Sequence, residues 1–127
     1  MKPDLIVRGG TVIDGTGAPA LAADVAIAQG RVAEVGRLPA IEGVGEVDAD
    51  GLTVAPGFID PHSHSDFTLL VDPRAVSSIA QGVTSEVVGN CGYGCCPIGN
   101  PALAPEVIYG YTPDLPIIWS DVAGYLE

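Results

Sequence analysis

Residues 55–66 read APGFIDPHSHSD, and the fold turns on how this stretch is continued. "GFID" is a short apolar strand. His62 and His64, just beyond it, are the only two histidines of the chain. In an extended strand alternate side chains share a face, which would set the two imidazoles about 7 Å apart on one side. Two imidazoles on one face can grip one metal ion if other elements add ligands. A lone His-x-His is equally well a pair of polar residues in a loop, so the neighbouring sequence has to decide.

Downstream, "DPRAVSSIAQG" over 72–82 is expected as a helix. Asp72 is placed as the N-cap, Pro73 at the first helical position and Gly82 at the end. "VTSEVVGNCG" then starts a second strand. Strand, helix, strand at this spacing is a βαβ unit, so strands 57–60 and 83–88 are expected to run parallel. "HSH" and "GNCG" both fall just past the C-terminal ends of these strands, the edge where α/β sheets and barrels build active sites. Cys91 is thereby brought towards the two histidines although it lies far along the chain. That convergence lifts the His-x-His above a loop feature.

Upstream, residues 4–54 read as short strands broken by turns. "LIVRGGTVID" suggests two extended pieces around Gly9-Gly10, and "DGTG" at 14–17 a turn. "DVAIAQGRVAEVG" is a hairpin about Gln29-Gly30. "EVDADGLTVAP" suggests another strand pair about Asp50-Gly51. Many short strands with few helix signals imply a small β-sandwich or partial barrel. Pro56 and Gly57 mark the change of pattern, dividing the chain into a β-domain, 1–55, and an α/β portion, 56–127. Residues 97–118, rich in Pro and Gly, read as a long loop, either a wall or lid over the site or a plain connector. "WSDVAGYLE" is expected to open a helix with Ser120 as its N-cap.

Composition narrows the function. Five Lys and Arg against sixteen Asp and Glu give a net charge of −11, which argues against nucleic acid or an anionic membrane as partner. Charged residues are only 17% of the chain and the mean hydropathy is +0.37, and the stretch between Pro73 and Pro105, charged only at Arg74 and Glu86, expects cover on several sides. No apolar run approaches the roughly 18 residues of a membrane helix. The opening "MKPDLIVRGG" is too short and too charged for a signal peptide, so a cytoplasmic location is expected. Cys91, Cys95 and Cys96 crowd into six positions with no CxxC pair. Neither a disulfide framework nor a zinc finger is expected from them.

"PGFIDPHSHSD" followed by "QGVTSEVVGNCG" resembles the start of the amidohydrolase superfamily, and specifically the N-acyl-D-amino-acid deacylases (D-aminoacylases). "LIVRGGTVIDGTGAPALAADVAIAQGRVAEVG" is similar to their N-terminal β-domain. The resemblance loosens only around 97–118. It implies a (β/α)8 TIM barrel preceded by a small β-sandwich domain, composite because both chain ends build it. It also implies that His62, His64 and Cys91 are metal ligands. Zinc is the cofactor such a set suits, since imidazole and thiolate prefer it to magnesium or calcium. Zinc makes hydroxide available near neutral pH for attack on an amide carbonyl. Most of the superfamily bridges its metals with a carbamylated lysine, so "GNCG" favours the deacylases over cyclic-amide hydrolases of the dihydroorotase or hydantoinase type. A non-catalytic metal-binding or assembly module is the reading from another class.

The remaining candidates have humbler roles. Asp60 and Asp66 match acidic positions of the family pattern and are expected in turns or behind the ligands, and Asn90 as a ligand orienter or strand cap. Gly89 and Gly92 are expected to allow tight turns around Cys91. Cys95 and Cys96 depart from the family and read as packing residues. The resemblance implies further histidines and a general acid–base aspartate beyond this stretch, so no catalytic residue is assigned within the chain. A complete barrel needs about 200 residues or more. The expectation is therefore the N-terminal part of a hydrolase of small N-acyl amino acids. By itself the chain is expected to be inactive and to self-associate through uncovered barrel strands.

Overall fold

The computed structural model describes residues 2–127, which fold as two compact units, one ending at Pro56 and the other spanning Gly57–Glu127.

The first unit is a single mixed sheet of five strands: β1 (Leu5–Val12), β2 (Leu21–Ala28), β3 (Arg31–Gly36), β4 (Gly45–Asp48) and β5 (Thr53–Val54). The order is β3-β2-β1-β4, with β5 also on β1. The hairpin of β2 and β3 turns at Gln29 and Gly30, whose φ values of 51° and 71° suit the twist of the flanking strands. Three readings of this region need correction. Gly9-Gly10 does not break the first strand, because a bulge between Val7 and Gly10 absorbs the extra residue. Asp24 Oδ1 accepts the Gly9 N–H there at 2.9 Å. The segments about Asp50-Gly51 do not pair with each other, since β4 and β5 both run parallel to β1. Within this unit the described residues form one sheet, so the expected sandwich or partial barrel is not seen in it. One face gathers Val12, Ala23 and Val25, with Val7 and Val54 against them, while Ile6 and Ala26 are buried on the other.

In the second unit β6 (Phe58–Asp60) and β7 (Val83–Glu86) pair in parallel, Phe58 opposite Val83 and Asp60 opposite Glu86, with a one-residue register shift between Phe58 and Ile59. The connection differs from the expected single helix. A helix that the sequence reading omitted, α1 (Ser65–Val71), follows the histidines. It ends because Asp72 precedes Pro73, whose ring excludes helical backbone from the residue before it; Asp72 is extended at φ −136° and ψ 92°. Asp72 is therefore the C-cap of α1, its N–H donating to Thr68 O, and not the N-cap of the helix that follows. Its carboxylate accepts instead from the backbone and guanidinium of Arg74, a local turn that competes with helix. The helix expected over 72–82 shrinks to α2 (Val76–Ile79).

Residues 97–118 are no plain loop. Asn100 caps a 3-10 turn, Pro101–Leu103, that leads into α3 (Ala104–Val107). Phe67 of α1 and Cys95 are fully buried beside Ile98, Ala104 and Ile108, with Trp119 and Tyr125 packed on them. This segment thus supplies the core of its unit, which its Pro and Gly content concealed. The last helix, α4 (Val122–Tyr125), is capped by Asp121 and not Ser120: Asp121 Oδ1 accepts from Gly124 N at 2.9 Å.

Candidate metal centre

Strand β6 stops at Asp60 because Pro61 has no N–H for the ladder. The chain still follows its neighbour: Val87 N donates to Asp60 O and Ser63 N to Val87 O, each at 2.9 Å. His62 and His64 are therefore not strand residues sharing a face. Asp60 Oδ1 accepts the His62 backbone N–H at 3.0 Å, and His64 is the residue that enters α1. The turn still brings the rings together, edge to face with centroids 5.5 Å apart.

Cys91 arrives from the other strand. After β7 the chain passes Gly89 at φ 80° and makes one 3-10 turn, Asn90–Gly92, in which Cys91 itself is left-handed at φ 56°. Such backbone costs a non-glycine residue about 1–2 kcal/mol, and it turns the thiol onto the histidines. Cys91 Sγ lies 3.2 Å from His62 Nε2. One donor atom each from His62, His64 and Cys91 falls within 4.8 Å of the others. The three residues named from sequence are together.

Two imidazoles and a thiol fit a zinc ion by chemistry and by size. Zn–N and Zn–S bonds imply donor separations of about 3.3–3.6 Å around a tetrahedral ion; the His62–Cys91 pair at 3.2 Å is slightly closer than that, and all three donors lie within 4.8 Å. His64 Nδ1 is buried and has no hydrogen-bond partner among the described residues. A buried nitrogen left so is costly, and coordination of the ring with a partner on its far side would relieve it.

The surrounding groups brace the site. None of Asp60, Asp66 and Asn90 bonds to a histidine ring or to the Cys91 sulfur among the described residues. Asn90 Nδ2 donates to Ser63 O at 3.0 Å and Val87 O at 2.8 Å, stitching the two segments. Asp66 is buried, and its Oδ2 accepts from Cys95 N at 2.9 Å. Cys95 itself is fully enclosed, and that burial, with the charge of Asp66 next, pushes its thiol up to about 12. As expected for a packing residue, it does not serve as a thiolate near neutral pH.

Sequence reasoning missed three participants. The Glu86 carboxylate accepts from Ser65 Oγ and from Ser78 Oγ, and these hydroxyls hold it below the usual carboxylate range. Its signal was its place as a charge within an apolar strand. Tyr109 stacks at a tilt on His64 with centroids 5.3 Å apart, and Tyr93 meets the same ring edge-on at 6.2 Å. Tyr109 had no local signal, since only the folding of 97–118 carries it there.

The family model described as the amidohydrolase family matches residues 45–116. The N-acyl-D-aspartate deacylase of Alcaligenes xylosoxydans xylosoxydans is 44% identical over 97 residues, 76% of this chain and 20% of that protein. The N-acyl-D-glutamate deacylase of the same organism is 42% identical over 127 residues, 98% of this chain and 25% of that protein. The crystal structure of N-acyl-D-glutamate deacylase from Bordetella bronchiseptica holds zinc and a phosphonate mimic of the tetrahedral intermediate. It superimposes with a TM-score of 0.83 at 40% identity, over 98% of this chain and 26% of that one. The chain thus spans a fifth to a quarter of the length of the curated relatives it matches.

Proposed function

The chain belongs to the amidohydrolase family, and from that premise we propose that it forms the first part of a zinc-dependent N-acyl-D-amino-acid deacylase. The observation that carries the reading is the convergence of His62, His64 and Cys91 within 4.8 Å beyond the C-terminal ends of two parallel strands. In this reading β6 and β7 are the first two strands of a (β/α)8 barrel, and the five-stranded sheet is this chain's share of a composite β-domain. Phe58 and Ile59 are exposed, as strands awaiting cover would be, and the same faces would support self-association of the chain alone.

His62, His64 and Cys91 would hold the zinc. When bound, zinc supplies a Lewis acid for the acyl carbonyl and hydroxide at neutral pH. The chain's own residues set where this happens. Asp60 fixes the backbone of His62, and the left-handed turn at Cys91 aims its sulfur. Tyr93 and Tyr109 pack on His64 and limit the water around it. A cavity of about 570 Å³ beside the cysteine turn is lined by Gly89, Gly92, Gly94, Pro97, Ile98 and Val107 among others, none of them charged. No carboxylate belongs to the ligand cluster among the described residues, so the general acid–base group is assigned to later sequence of the complete protein.

The test is to load the complete protein with zinc and measure release of free amino acid from N-acetyl-D-glutamate, N-acetyl-D-aspartate and N-acetyl-D-methionine, with the L-enantiomers and dihydroorotate alongside. Hydrolysis of a D-series substrate, lost on chelation and in His64→Ala, is expected. Turnover of dihydroorotate alone would replace this reading with the cyclic-amide one.

A further inference from the structure

Two carboxylates join the segment carrying His64 to the segment carrying Cys91, and they reach in opposite directions. Asp66, two residues after His64, is the buried charged side chain among the described residues, at 5% exposure. Its Oδ2 accepts from the backbone N–H of Cys95, four residues after Cys91, at 2.9 Å. Both ends of that link are held in turn: Tyr125 Oη donates to Asp66 O at 2.7 Å and Trp119 Nε1 to Cys95 O at 2.6 Å. Glu86, the last residue of β7, reaches back. It accepts from Ser65 Oγ, next to His64, and from Ser78 Oγ of α2.

Backbone pairing of the two segments runs past Asp60 and Glu86 only as far as Ser63 and Val87, where Asn90 Nδ2 also donates to Ser63 O. The ligands lie beyond it, His64 at the entry to a helix and Cys91 in a left-handed turn, where strand pairing no longer fixes their spacing. Burying a carboxylate is costly unless it is hydrogen-bonded. Asp66 meets that cost with a single backbone N–H, the one that anchors the cysteine turn. We propose that Asp66 and Glu86 are positioning residues: each reaches from one ligand-bearing segment to the other, and together they set the separation of His64 and Cys91. The inference rests on the zinc reading above and extends it from the ligands to the groups that pre-organise them.

Cadmium titration of the full 127-residue chain tests this without any assay of activity, because charge-transfer absorption from a cysteine thiolate to cadmium reports sulfur on the metal. Cys91→Ala should abolish the band. Asp66→Ala should weaken cadmium binding about 10–100-fold, whereas Asp66→Asn, whose amide oxygen still accepts from Cys95 N, should bind as the native chain does. Ser65→Ala removes a donor to Glu86 together with the acceptor of Ser63 Oγ, and should weaken binding several-fold with unchanged circular dichroism. If Asp66→Ala does not fold, Asp66→Asn and Ser65→Ala decide. Native affinity in Asp66→Ala or Ser65→Ala, or an Asp66→Asn as weak as the alanine variant, overturns the positioning role alone. A native chain with no thiolate band overturns the zinc reading, and this inference with it.

Discussion

Replacing Cys91, Cys95 and Cys96 one at a time should separate a metal ligand from two packing thiols. Cys91 is exposed, with its sulfur 3.2 Å from His62 Nε2, so Cys91→Ala should lose the zinc that Cys95→Ala and Cys96→Ala retain. The structure also sets how differently the thiols react. Cys95 is fully buried and its thiol is pushed from 9.0 up to about 12. Three pH units divide the thiolate population by about 10³, and the thiolate is the nucleophile. Alkylation of Cys95 by iodoacetamide near neutral pH should therefore be at least about 10³-fold slower in the folded chain than in urea. Cys91 should label rapidly in the folded chain and be protected by zinc. Elemental analysis gives the metal content, and mass spectrometry with fragmentation assigns the label within the peptide that holds all three cysteines. Equal zinc in the three variants would refute the ligand assignment. Labelling of Cys95 as fast as Cys91 would refute the burial argument.

Other outcomes rest on single contacts. At Gly89 a Cβ would meet nothing within 4 Å, so with φ at 80° the cost of Gly89→Ala is backbone strain of about 1–2 kcal/mol, partly offset by about 0.4–1 kcal/mol from the unfolded state. Gly99→Ala, equally open but without a positive φ, should be neutral or stabilising; urea midpoints in the reverse order would contradict this. Trp119→Phe removes the donor to Cys95 O and should cost about 1–3 kcal/mol; an unchanged thermal midpoint would count against it. The Ser65 and Ser78 hydroxyls hold Glu86 below its ordinary 4.5 in the folded state. Its contribution is thus complete above 4.5 and fades as pH falls through the lower folded value. Glu86→Gln should show a shallower loss of stability on the acid side, and superimposable urea midpoints against pH would refute that link.

The βαβ pairing and the convergence of His62, His64 and Cys91 were legible in the residues alone. Both are local facts: apolar runs with strand propensity, a crossover of the right length, and metal-binding side chains just beyond two strand ends. The hairpin about Gln29-Gly30 was legible for the same reason, since two positive φ values are chemistry of the turn itself. Folding in three dimensions was needed to place Gly9 in a bulge and not a turn, and to lay β4 and β5 both on β1. Strand partners are chosen by register across the sheet, to which a local window is blind. The same holds around the site. Asp66 looks like any acidic residue of a polar "HSHSD" run, and becomes buried because Phe67 beside it enters a core built from residues 95–125. Residues 97–118 read as a loop because Pro and Gly interrupt every period. Their apolar side chains nevertheless converge on Phe67 and Cys95, and in doing so carry Tyr109 to His64. Metal-binding capacity is written in residue type, but whether such side chains meet depends on hydrogen bonds and packing between segments far apart in the chain, and those form only when the chain has folded.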